Sequence, residues 1–146
     1  RRFNSSDLIT NKQLKKYYAM YESRSIIQSK YSFEVQQLAH SALKRLDEYH
    51  RPYLHRAMQR CNYYLSETIV NYQDSFSLQK QISMYRNFVL RVAELWSLLG
   101  QWPDEIYFPG LQNMIEGVKQ LYFDLLQELA RKELHLLQIN ENQKPN

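Results

Sequence analysis

The sequence predicts an all-α fold: an antiparallel bundle of four long helices, the first of them either kinked or split into two. Three observations carry that expectation. Apolar residues recur every three or four positions through most of the 146-residue chain, and only three glycines and four prolines interrupt them. Most of these breakers fall between the periodic runs, at Pro52, at Gly100 and from Pro103 to Gly110. The last run carries two apolar stripes, so it has to be covered on two sides.

Residues 1–9 lack periodicity and are expected to be a flexible lead-in. Thr10-Asn11-Lys12-Gln13 has capping-box form and opens a helix with Leu14, Tyr17, Tyr18 and Tyr21 on one face. Serines at 23, 25, 29 and 32 weaken the pattern, yet Ile27, Tyr31, Val35, Leu38, Ala42, Leu46 and Tyr49 carry it onward. This leaves one long helix or two joined by a kink near residues 23–29. Pro52 ends it, because its ring disfavours helical geometry at Arg51, and then suits the first turn of a second helix over 52–72. That helix buries Leu54, Ala57, Met58, Cys61, Leu65, Thr68 and Tyr72.

Ser77 is placed to cap a third helix over 77–99 with the face Leu78, Ile82, Tyr85, Val89, Val92, Trp96 and Leu99. Gly100 is expected to stop it in a left-handed conformation. The fourth helix, 109–138, has a main face of Leu111, Met114, Ile115, Val118, Leu121, Tyr122, Leu125, Leu129 and Leu136. Its second stripe is Phe123, Leu126, Ala130, Leu134 and Leu137, about 100° around the cylinder. Residues 139–146 are expected to fray, so the folded domain is drawn at 10–138.

Composition narrows the function. Cys61 is the single cysteine, which excludes an intrachain disulfide and, with no zinc-type cluster, favours an intracellular, reducing compartment. No apolar run reaches the roughly 20 residues that span a bilayer, so no membrane partner is expected. The chain begins at Arg1 and reads as a piece of a longer protein. Residues 1–60 hold 12 Lys and Arg against 5 Asp and Glu, whereas residues 61–146 hold 7 against 10. A basic front and a mildly acidic back make the packed halves compatible; an anionic partner is the competing explanation.

No catalytic constellation is present. His50 and His55 straddle a proline, His40 and His135 stand apart, and none has the four-residue spacing of helical zinc ligands. Asp47-Glu48 and Asp104-Glu105 are adjacent, which points their side chains about 100° apart on a helix. No glycine-rich phosphate loop or nucleophile elbow occurs. The sequence therefore predicts a protein without catalytic residues, bound metal or cofactor. Cys61 is read as a buried, inert thiol.

Two binding surfaces are expected instead. The first joins the second stripe of the last helix to Trp102, Tyr107 and Phe108 of the preceding connector, which otherwise folds back over a bundle end. It would make the chain a non-catalytic interaction or scaffold module of a larger protein or complex, gripping a partner helix or a second copy of itself with coiled-coil-like packing. The alternative is a helical RNA- or DNA-binding domain around the Pro52 bend, where Lys44, Arg45, Arg51, Arg56 and Arg60 are interleaved with Tyr63. Asp47, Glu48 and Glu67 interrupt that patch.

Overall fold

A computed structural model of the chain describes residues 25–48 and 51–143. The helix expected from Thr10, the lead-in and the bend residues Tyr49 and His50 lie outside the described residues. Four helices follow in order: α1 Lys30–Glu48, α2 Pro52–Asn71, α3 Leu78–Gly100 and α4 Leu111–Asn142. A 3-10 turn, Ile26–Gln28, precedes α1, and another, Asp104–Ile106, lies between α3 and α4. No strand occurs among the described residues. This is an all-α helical bundle.

Pairwise contacts fix an up-and-down order. Gln28 reaches Ile69 and Tyr72, and Gln36 reaches Asn62 and Ser66, so α1 and α2 run antiparallel. Tyr72 meets Tyr85, while Cys61 meets Arg91 and Arg60 meets Glu94. Trp96 meets Tyr122, and Arg86 meets Glu133. Each helix thus returns along its predecessor, and α1 closes the bundle on α4.

Local chemistry explains the boundaries. Ser29 is extended, and its hydroxyl accepts from the Ser32 amide at 3.3 Å, which caps α1 at Lys30. Over residues 25–29 the backbone is a 3-10 turn and an extended serine, so α1 does not run back through them as α-helix; the segment expected to precede it lies outside the described residues. The Gln28 side-chain amide donates to the Ile69 and Tyr72 carbonyls at 2.9 and 2.7 Å, satisfying acceptors at the end of α2. Pro52 sits in the first turn of α2, as expected. Ser77 caps α3 by accepting from the Lys80 amide at 3.2 Å.

Gly100 departs from expectation. It is the last residue of α3, followed by Gln101 at φ −100°, and its backbone is not left-handed. The Gln101 and Trp102 amides fold back onto the Leu98 and Leu99 carbonyls, so the helix winds out through a tight turn that needs no positive φ. The left-handed glycine is Gly110, at φ 94°, where the chain turns into α4. At the other end, α4 continues past Gln138 to Asn142, beyond the boundary drawn from the pattern.

One core draws on all four helices. Val35, Ala39, Leu46, Met58, Leu65, Phe88, Val92, Leu95, Val118 and Leu125 are fully or almost fully buried within it. Leu111, Met114, Val118, Leu121, Leu125 and Leu129 of the main α4 face are buried, and Ile115, Tyr122 and Leu136 pack against them half-buried. The 3.6-residue period places all nine on one side.

Candidate functional site

The second stripe of α4 stays outside this core. Phe123 is 46% exposed, Leu134 56% and Leu137 62%, and Ala130 is exposed as well. Leu126 is half-buried and touches the core edge. The stripe is seated by aromatic packing: Phe123 lies edge-on to Trp96 at 6.2 Å and to Tyr122 at 5.4 Å. The Arg86–Glu133 pair at 2.8 Å borders it on the α3 side. A rigid helix therefore presents a row of apolar side chains to solvent, which disfavours the isolated state by roughly 25 cal/mol for each Å² that a partner would cover.

The connector divides differently than expected. Trp102 and Phe108, read as docking aromatics, are buried at 7% and 8% exposure; only Tyr107, at 57%, faces solvent. Their rings meet edge-on at 5.6 Å, and the Trp102 indole N–H donates to the Ile106 carbonyl at 3.1 Å. The Asp104–Ile106 turn folds the segment onto the bundle end and points Ile106 into the core with them. Trp102 and Phe108 are a plug, because turning them outward would expose two large rings and leave a buried carbonyl without its donor.

The cations around Pro52 do not converge. Arg45 stacks on the Phe108 ring at 4.3 Å, and Arg51 pairs with Glu105, so both are drawn to the connector. Arg56 turns back to the Pro52 carbonyl and the Tyr53 ring. Arg60 lies 3.9 Å from Glu94, and the Tyr63 hydroxyl donates to Glu67 at 2.6 Å, which raises the Tyr63 pKa. Lys44 is exposed on α1. What looked continuous in sequence is spread over two helices and a loop, with carboxylates at three of its members.

Two open clefts accompany these surfaces. One, of about 350 Å³, lies between α1 and the α4 entry and is lined by Leu38, Ala42, Arg45, Phe108 and Met114. The other, of about 370 Å³, lies between Tyr64 and Thr68 of α2 and Asn87, Leu90 and Arg91 of α3. Leu90 on α3, at 66% exposure, and Val70 on α2, at 77%, are further apolar side chains open to solvent that the sequence reading did not single out. Their positions off the buried stripes of α2 and α3 were the available signal. Neither cleft gathers a nucleophile and a base. Among the described residues, no three His, Cys, Asp or Glu side chains are grouped to hold a metal ion, and no helix is long and apolar enough to cross a membrane.

Cys61 is fully buried, its thiol donating to the Arg91 carbonyl at 3.1 Å. Burial, with Glu94 adding to it, pushes the thiol from 9.0 up to about 12. Burial likewise raises the Tyr72 and Tyr85 phenols above their ordinary 10.0. These groups keep their protons in the native state after the unfolded chain has lost them, so the unfolded state binds fewer protons and stability falls with rising pH. The stabilisation is complete below about pH 9 and is lost progressively toward about 12. Thermal unfolding midpoints should hold up to about pH 9 and fall from there to pH 11; a flat profile across that range would contradict the burial of these groups.

No protein-family model, curated protein or solved structure matches the chain.

Proposed function

We propose that the chain is a non-catalytic protein–protein interaction module, a scaffold element of a larger protein or complex, that docks through the outer face of α4. One observation carries the reading: Phe123, Leu134 and Leu137 remain about half or more exposed although the helix that bears them is fully packed on its other side. Apolar side chains aligned on one rigid helix are the anchors of helix-to-helix recognition, where i, i+3, i+4 and i+7 positions enter a partner's groove. Tyr107, beside the α4 entry, is the remaining accessible aromatic of the connector. A single, deeply buried cysteine suits an intracellular setting. The dispersed and largely engaged cations of the Pro52 bend give nucleic acid weaker support.

Leu134→Glu tests the reading. The substitution is expected to abolish association, with itself or with a protein retained from extract, while changing stability by no more than about 0.5 kcal/mol because the side chain is exposed. Association would be read by solution mass and affinity capture, and folding by circular dichroism. Undiminished association, or loss of the fold, would reject the α4 face as the docking surface.

A further inference from the structure

We infer that the occupant of the α4 stripe is α4 of a second copy, lying antiparallel to the first across a twofold axis between the two Ala130 residues. The inference rests on the α4 face being a docking surface and adds the identity and register of what docks.

The stripe reads the same from either end. From Phe123 to Leu126, Ala130, Leu134 and Leu137 the steps are three, four, four and three residues. At about 100° per residue, all five lie within about 40° of Ala130. An antiparallel copy centred on Ala130 therefore brings Phe123 level with the other copy's Leu137, and Leu126 level with its Leu134. Each level is an apolar layer of the kind that interleaves in coiled coils. The central residue is the smallest of the five, which allows the axes to approach toward the close end of the usual 8–10 Å spacing.

Charge chooses the same orientation. Lys119 and Glu141 are exposed, lie on the same face about 20° from Ala130 in opposite senses, and have no ion-pair partner among the described residues. In the antiparallel register each Lys119 meets a Glu141 of the other copy, closing both ends of the apolar strip with opposite charges. A parallel pair would set lysine against lysine and glutamate against glutamate. The apolar strip is about 21 Å long, or about 33 Å with its charged ends, one helix wide, and smaller than the interfaces of tight complexes, so a micromolar dimer is expected.

The test reads register as well as mass. Sedimentation equilibrium of the whole chain should show a monomer–dimer exchange. Lys119→Glu should weaken it about tenfold, and adding Glu141→Lys in the same chain should restore it. Under mild oxidation Ala130→Cys should form a disulfide-linked dimer, because facing residues at the axis come within disulfide reach. Leu126→Cys mixed with Leu134→Cys should cross-link, whereas either alone should not, its two copies standing about 12 Å apart along the axis. Cys61 is fully buried and adds no background. A chain that stays monomeric, a dimer indifferent to the charge swap, or cross-linking without this pairing would overturn the inference. A monomer that still loses an extract partner on Leu134→Glu would overturn the second copy alone and leave the docking face standing.

Discussion

Leu125→Glu is expected to unfold the domain. Leu125 is fully buried at the centre of the main α4 face, and a carboxylate there would have no water to offset its desolvation. Such a charge costs several kcal/mol, against a total stability of about 5–15 kcal/mol for a domain of this kind. Circular dichroism should show loss of the cooperative thermal transition. Nine residues further along the same helix, Leu134→Glu should leave that transition in place. The contrast measures what the two stripes do: one holds the bundle together and the other faces outward. A folded Leu125→Glu protein would mean that α4 is turned differently on its neighbours.

The second large effect is expected at Trp102→Ala. The indole is buried, packs edge-on against Phe108 and donates to the Ile106 carbonyl, so its removal leaves both a cavity and an unpaired acceptor. Aromatic-to-alanine changes in a core cost about 3–5 kcal/mol. With a urea slope of about 1–3 kcal/mol per molar, the midpoint should fall by about 1–5 M. Tyr107→Ala, in the same connector but exposed, should stay within about 0.5 kcal/mol. Equal effects at the two positions would remove the distinction between plug and surface.

The bundle and its helix faces were legible because they depend on periodicity, which each residue's neighbours in sequence report. Every member of the main α4 stripe is buried or half-buried, and Ser77 and Pro52 stand where capping rules put them. The exposed second stripe was legible in the same way. The connector was not. Between Trp102 and Gly110 no repeating pattern says which ring turns inward, and the answer depends on a three-residue turn and on which bundle end it meets. Gly100 misled for a related reason: its flexibility was sufficient for a left-handed stop, but the next two amides found carbonyls without it. The Pro52 cations illustrate the opposite limit. Nearness along the chain suggested a patch, while Glu105 and Glu94, distant in sequence, claim Arg51 and Arg60 in space.

The serial layout, in which every helix lies beside the one made just before it, also shapes how the chain reaches this state. Most native pairings can be tried by short hairpins that need only a few intervening residues to bend, and chains of that kind search quickly. Among the described residues, the distant parts that must meet are the α1–α4 seam and the connector where it holds Arg45 and Arg51, so the entropic toll of long-range closure is concentrated there.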